Sequence, residues 1–281
     1  ASSIMRLLPH PYGTITGGRV LFEGTDLLEV PDEAMYAIRG GSISMIFQEP
    51  MNAMNPVQTS GKQIREVLEL HRKDLQKEDV TRKILDLLHQ VEMPSPRSRM
   101  RNYPFQLSGG MRQRMMIAMA LAGHPRLLIA DEPTTALDVT VQAQILELIR
   151  DLQRTNDMGV LFITHDMGVV AEVSDYVVVM YAGQMVESGP VETIFRHPLH
   201  PYTQGLIKSM PSLESVPKTT LPAIQGNVPS PALYPETCRF ANRCPHAVET
   251  CVKNTPQIRS FGPDHDRSEE HTSELQSLLI I

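Results

Sequence analysis

The chain has 281 residues, of which 41% are hydrophobic, and its formal net charge is -6 at pH 7. A chain of this length and composition can bury the core of one large domain or two modest ones, which excludes a disordered protein. The acidic balance, without clustered Lys and Arg, argues against a nucleic-acid-binding protein. No apolar run approaches the ~20 residues that cross a bilayer, since the longest candidates are as short as residues 176–180.

The first ten residues, ASSIMRLLPH, contain no basic segment and no starting Met. They therefore predict no signal peptide, and the chain is expected to be cut from a longer one.

Short β-rich runs bounded by Gly predict strands over 19–22 and 43–47. From residue 60 to about 119, apolar residues recur at helical spacing, which predicts a helical insertion. The runs 127–130, 160–163 and 176–180 alternate with helical stretches, as in a parallel α/β sheet. Asp138 can cap the helix between the first two of these strands, whose apolar face is Val141, Ile145, Leu148, Ile149 and Leu152.

Beyond His197 the sequence is rich in proline, which predicts a loop-dominated extension and a boundary near residue 196. Five segments are expected: a partial core over 1–58, a helical subdomain over 59–122, the rest of the core over 123–196, an extension over 197–266, and a tail over 267–281. The tail begins RSEEHTSELQS, which is similar to a translated sequencing adapter, with a genuine flexible tail as the alternative.

Two motifs point to a nucleotide. In LSGGMRQR, from residue 107, Ser108, Gly109 and Gly110 open a helix, where bare backbone N–H groups and the helix dipole favour a phosphate. The apolar run 127–130 is followed by Asp131 and Glu132, which places two carboxylates at the C-terminal end of a parallel strand. That position suits a magnesium ion.

These motifs occur in order with two others, IFQEPMNAMNP around Gln48 and FITHDM around His165. Together with LLIADEPTTALD they resemble the ATP-binding subunit of an ABC transporter, over residues 1 to about 266. The segment HPLHPYT from residue 197 is similar to the oligopeptide/dipeptide importer branch. The resemblance implies a P-loop NTPase-like α/β ATPase core with a helical insertion and a small Pro- and Cys-rich C-terminal extension.

The resemblance assigns roles at the strand ends. It implies that Asp131 and Gln48 help to hold Mg²⁺, that Glu132 orients or deprotonates the attacking water, and that His165 contacts the γ-phosphate. The plainer interpretations are a cap for Asp131, a salt bridge for Glu132, a structural histidine for His165 and a loop hydrogen bond for Gln48.

The resemblance also implies that Ser108, Gly109, Gly110 and Gln113 close over ATP held by an opposite subunit, and that Asp138 lies in a loop between subunits.

No GxxxxGK[ST] occurs in the sequence, so the sequence supplies no phosphate-gripping loop. A truncated gene copy or a degenerate subunit would explain this. We expect the chain to bind ATP poorly alone while lending its Ser-Gly-Gly turn to a partner.

Cys238, Cys244 and Cys251 are the only cysteines, and their spacing suits one metal or iron–sulfur cluster with a ligand missing. The importer branch implies a [4Fe-4S] cluster with a fourth cysteine, for which His246 could substitute; inert buried thiols are the alternative.

The sequence therefore predicts a MgATP-hydrolysing subunit that dimerises and energises uptake of short peptides. Its expected partners are permease membrane subunits, a second, identical or sister, ATPase subunit, and indirectly an extracellular solute-binding protein, with no nucleic acid. Its expected location is the cytoplasmic face of the membrane, as a peripheral subunit. The alternatives are a soluble ABC protein acting on ribosomes or DNA, which would need tandem cassettes or a basic arm, and a non-catalytic scaffold with a structural metal.

Overall fold

A computed structural model describes residues 1–49, 53–135, 137–210, 222–262 and 264–269. The chain divides into two compact units, Ala1–His165 and Asp166–Ile281. Some residues of the predicted features lie outside the described ranges: 50–52 of the glutamine motif, Ala136, Pro211, Pro217 and the predicted tail from residue 270. Within the described ranges, no helix has both the length and the apolar character that a membrane crossing requires.

Regular structure in the first unit begins with a small hairpin, β1 (Leu21–Phe22) and β2 (Thr25–Asp26). Its two turn residues, Glu23 and Gly24, have positive φ angles of 51° and 81°, as tight hairpin turns require. The strand predicted over 19–22 is therefore shorter than expected. Helix α1 (Asp32–Ile38) follows, with Met35 fully buried.

A three-stranded parallel sheet forms the core of the first unit. Its strands are β3 (Ile43–Ile46), β4 (Leu127–Asp131) and β5 (Gly159–Ile163), with β4 in the middle. Residues 128–130 of β4 are fully buried, which explains an unbroken apolar run rather than an alternating one. The register pairs Ile46 with Ala130 and Asp131 with Ile163, so that the three carboxyl ends meet at one edge.

The predicted helical insertion is confirmed as four helices: α2 (Ser60–His71), α3 (Lys77–Gln90), α4 (Pro96–Arg99) and α5 (Gly109–Ala122). Helices α2, α3 and α5 pack on one another through fully buried residues that include Ile64, Ile84 and Met115. Arg114 of α5 is buried, and it donates to the carbonyl of Val91 at 2.8 Å. This bond links α5, which begins at the Ser-Gly-Gly turn, to the residue that follows α3.

Helix α6 (Val139–Asn156) joins β4 to β5. Its cap is the predicted one, because Asp138 Oδ1 accepts the backbone N–H of Val141 at 3.0 Å. The predicted apolar face is buried at Ile145, Leu148, Ile149 and Leu152.

The second unit contains helices α7 (Met167–Val173), α8 (Val191–Arg196) and α9 (Pro201–Lys208) and an antiparallel sheet. Its strands are β6 (Tyr176–Tyr181), β7 (Gln184–Pro190), β8 (Gln257–Gly262) and β9 (His265–Glu269), in the order β6-β7-β9-β8. Its apolar core includes Val177, Val179, Tyr181, Ile194 and Phe240.

Two predictions about this unit are wrong. The strand over 176–180 was expected in the parallel sheet, but β6 pairs antiparallel with β7, because the turn at Ala182 and Gly183 folds the chain straight back. The extension was expected to be loop-dominated rather than to add sheet, and the second part is wrong, because β8 and β9 add two strands to this sheet. The residues 267–269, which the sequence placed in the tail, belong to β9.

Candidate functional site

Three predicted side chains converge at the carboxyl edge of the parallel sheet. Gln48 follows β3, Glu132 follows β4 and His165 follows β5. Gln48 Nε2 donates to Glu132 Oε2 at 2.8 Å, and His165 Nδ1 lies 3.1 Å from Glu132 Oε1. The parallel register produces this convergence, because it brings the ends of all three strands to the same edge.

The Glu132 backbone is held in an uncommon conformation. Its φ is 46°, in the left-handed region, and its N–H donates to the carbonyl of Ile163 at 2.8 Å. Such a conformation costs about 1–3 kcal/mol and persists only where the surroundings enforce it. The side chain is 22% exposed while that of His165 is 78% exposed, so the carboxylate is reached from the open side of the edge.

A residue that the sequence analysis missed completes this group. Thr135 Oγ1 donates to Glu132 Oε2 at 2.9 Å, and the Thr135 N–H donates to the Glu132 carbonyl at 3.2 Å. A hydroxyl three residues beyond a carboxylate, in a turn, is the sequence signal that could have identified it.

Hydrogen bonding keeps the Glu132 carboxylate ionised. The Thr135 hydroxyl, and after it His165, lower the pKa of Glu132, and Gln48 adds to this effect, while partial burial opposes it. An ionised carboxylate accepts hydrogen bonds only, so the group can orient a water molecule and receive its proton.

Asp131 is the last residue of β4 and is half-buried. Glu132 follows it directly, so two carboxylates lie next to each other at this edge of the sheet. Within the described ranges, no group of three or more His, Cys, Asp or Glu side chains is placed to hold a metal ion. Mg²⁺ ordinarily takes one or two carboxylates and completes its shell with water and phosphate oxygens, so the oxygen donors of Asp131 and Gln48 fit a partial set.

The Ser-Gly-Gly turn forms the start of α5. Ser108 is its N-cap and its Oγ accepts the N–H of Met111 at 3.4 Å. Ser108 and Gly109 are exposed and Gly110 is half-buried. Exposed N–H groups at the start of a long helix are suited to an anion.

The turn lies against the start of α6. A Cβ added to Gly110 would lie 2.9 Å from Val141 Cγ1, and one added to Gly109 would lie 3.5 Å from Leu137 Cδ2. Asp138, between these two contacts, is exposed. The structure therefore brings together the predicted residues Ser108, Gly109, Gly110 and Asp138.

Gln113 is placed differently from these exposed residues. Its side chain is only 2% exposed, and its Nε2 has no hydrogen-bond partner among the described residues. The structure thus puts this predicted ligand-binding amide inside the helical packing rather than at the open turn.

The cysteines of the second unit do not fit the predicted [4Fe-4S] cluster. Cys251 is buried, Cys238 and Cys244 are half-buried, and none of the three is in a disulfide. They are not among any group of described side chains that could hold a metal ion. Burial raises the pKa of the Cys244 thiol, and the nearby Cys238 and Cys251 raise it further. The iron–sulfur prediction is therefore unsupported.

Two family models match the chain. Residues 1–135 match the ABC transporter family, and residues 186–251 match the oligopeptide/dipeptide transporter C-terminal region.

Curated relatives cover nearly the whole chain. An oligopeptide transport ATP-binding protein, OppD of Bacillus subtilis, is 49% identical over 94% of this chain and 74% of its own length. A peptide import ATP-binding protein of Brucella ovis is 50% identical over 94% of this chain and 80% of its own length.

Solved structures support the same fold. The dimeric structure of a bacterial ABC transporter cassette aligns with a TM-score of 0.56 and 27% identity, covering 63% of this chain and 74% of that one. A post-hydrolysis dimer of an ATP-binding cassette bound to ADP and Pi aligns with the same TM-score and 26% identity. With these matches at both ends of the chain, the protein belongs to the ATP-binding subunits of ABC transporters, in the oligopeptide/dipeptide branch.

Proposed function

We propose that this ABC-type ATPase energises the import of oligopeptides, and that Glu132 is the residue that activates water for ATP hydrolysis. The observation that carries the catalytic assignment is the convergence of three donors on one carboxylate from three segments, at 2.8 Å for Gln48, 2.9 Å for Thr135 and 3.1 Å for His165. The peptide substrate is supported by the relatives, which are named for oligopeptide or peptide transport.

The carboxylate of Glu132 acts as the proton acceptor. With its pKa lowered, the carboxylate stays ionised well below neutral pH, and its oxygens can accept hydrogen bonds from the attacking water. Bound Mg²⁺ would neutralise the phosphate charge, and Asp131 and Gln48 would hold the ion through their oxygen atoms, directly or through water.

Gln48 and His165 have separate tasks. His165 is largely exposed, so its ring can turn from Glu132 to a terminal phosphate oxygen. Gln48 is a neutral amide and loses less than a charged group when it detaches from Glu132. It can therefore report the state of the nucleotide by forming or breaking its bond to Glu132.

The Ser-Gly-Gly turn serves a second ATPase subunit. Ser108 and Gly109 are exposed at the start of a 14-residue helix, and Asp138 is exposed beside the Leu137 and Val141 contacts of this turn. The N–H groups and dipole there favour a triphosphate. A dimer in which this surface closes over nucleotide bound by the other subunit is consistent with the dimeric cassettes to which the chain is similar.

The assembly proposed is an importer with permease subunits in the membrane and an extracellular solute-binding protein that delivers the peptide. This subunit would lie peripherally on the cytoplasmic face. ATP favours the closed dimer and hydrolysis releases it, because a ligand shifts an equilibrium only through its different affinities for the two states.

The test uses membrane vesicles that contain the assembled importer, with this protein as its ATPase subunit. We expect ATP-dependent uptake of a labelled oligopeptide, and loss of that uptake with Glu132→Gln. The matched control is Glu147→Gln, an exposed carboxylate on α6, which should leave uptake unchanged. Uptake that persists in the Glu132 variant contradicts the catalytic assignment. Uptake of a non-peptide solute in place of oligopeptides contradicts the substrate assignment.

A further inference from the structure

A cavity of about 550 Å³ lies in the second unit. It is bounded by helix α9, the segment 222–226 and the turn region 240–246, and none of these residues belongs to the candidate ATPase site. Much of its wall is apolar, with Phe240, Ile224 and Pro201 among the lining residues. Its volume is within the range of about 300–1,000 Å³ typical of small-molecule sites.

The charges around this cavity all have one sign. Lys208 and Arg243 line it, and the lining residues that the structure describes include no Asp or Glu. Lys208 is exposed, in the last turn of α9. The chain as a whole has a net charge of -6, so a cationic cavity departs from the average of the molecule.

The charge of Arg243 is not cancelled by the bonds that hold it. Its Nε donates to the Gln225 carbonyl at 2.8 Å and its NH2 group donates to the Ile224 carbonyl at 2.9 Å. A third contact, from NH1, reaches the Tyr181 hydroxyl at 3.4 Å. All three acceptors are neutral, so the guanidinium is fixed in the wall and keeps its full positive charge.

From this arrangement we propose that the cavity is a binding site for an organic anion with an apolar body. The body packs against Phe240 and Ile224, and the anionic group lies towards Lys208 and Arg243. An apolar wall supplies affinity, while a few placed charges set orientation and select an anion over a neutral or cationic analogue.

Cys244 supplies a reporter inside the proposed site. Its side chain lines the cavity and is half-buried. A maleimide therefore reaches this thiol through the cavity. A ligand seated in the cavity would cover the thiol and slow this reaction.

The experiment alkylates the whole chain with N-ethylmaleimide at mildly alkaline pH and assigns the label by tandem mass spectrometry. Octanoate is the probe, with octanamide and octylamine as neutral and cationic analogues. At about ten times its Kd, octanoate should slow labelling of Cys244 about tenfold, by mass action. The two analogues should protect less at equal concentration.

Two variants separate the site from unspecific effects. Lys208→Gln should weaken octanoate protection about fivefold, as expected for the loss of one solvent-exposed charge partner. Lys253→Gln removes another exposed lysine of the unit, one paired with Glu249, and should leave protection unchanged. The proposal is overturned if millimolar octanoate gives no protection, if the three probes protect equally, or if the two variants behave alike.

Discussion

Replacement of Glu187 by Ala should destabilise the second unit severely. This carboxylate in β7 is fully buried, and its two oxygens accept three donors: the Leu199 N–H at 2.7 Å, the His200 N–H at 2.9 Å and His265 Nε2 at 2.9 Å. Each buried donor left unpaired costs at least about 1 kcal/mol, so the free energy of unfolding should fall by about 3 kcal/mol or more.

Denaturant unfolding followed together with amide hydrogen exchange measures this loss. A fall of about 3 kcal/mol corresponds to roughly 100-fold faster exchange at the amides of Leu199 and His200. Glu187→Gln keeps the volume and one acceptor oxygen, so its loss should be intermediate.

The matched control for this prediction is Glu192→Ala. Glu192 is an exposed carboxylate paired with Arg196 four residues on, and its removal should change stability by at most about 0.5 kcal/mol. If Glu187→Ala costs no more than this control, the reasoning about the buried acceptor is refuted.

Four further outcomes are expected. Thr135→Val should raise the pKa of the Glu132 carboxyl towards its ordinary value, because the Thr135 hydroxyl is the main cause of the lowered pKa. Carbon-detected NMR titration measures the pKa of this carboxyl, and an unchanged value would contradict the prediction. Burial, and then the charge of Arg267, lower the pKa of His200 from 6.5 to about 3, so between these values the folded unit keeps the ring neutral while the unfolded chain protonates it. The stability of the unit should therefore be full above pH 6.5 and fall towards pH 3. His200→Asn, which can still cap α9, should flatten that slope in unfolding experiments at several pH values. Gly110→Ala should be less stable than Gly109→Ala by about 1–3 kcal/mol in thermal unfolding, since only the first meets Val141 at 2.9 Å; equal stability would show that Val141 moves freely. The 281-residue chain contains no GxxxxGK[ST]. In a calorimetric titration without a partner it should bind ATP with a dissociation constant above the micromolar range. Micromolar binding would count against a nucleotide site shared by two subunits.

Local patterns in the sequence predicted the elements that position the ATPase site. The period of the apolar residues indicated the helices around Ile64 and Ile84, and the cap at Asp138 is confirmed at 3.0 Å. The central strand β4 also followed from sequence, because a strand buried on both faces must be continuously apolar. These features depend on neighbours in the chain.

Features that depend on distant pairing could not be predicted in the same way. An apolar strand such as β6 fits a parallel or an antiparallel sheet equally well, and the turn at Ala182 and Gly183, whose φ angles are 49° and 79°, decides the outcome. Nothing in the local sequence marks Glu187 as buried, since carboxylates are rarely buried. Its three donors come from residues 12 to 78 positions away, and no local pattern contains them.

The most direct test of the account is the rate of phosphate release in a single turnover by the assembled importer. Glu132→Gln keeps the size of the side chain and the contact with Thr135, but it removes the proton acceptor. If Glu132 activates the attacking water, we expect this substitution to slow phosphate release by at least about 100-fold while ATP binding is retained. A rate within about threefold of the unsubstituted protein, well below the effect of a lost general base, would show that the carboxylate at this edge of the sheet does not activate the water.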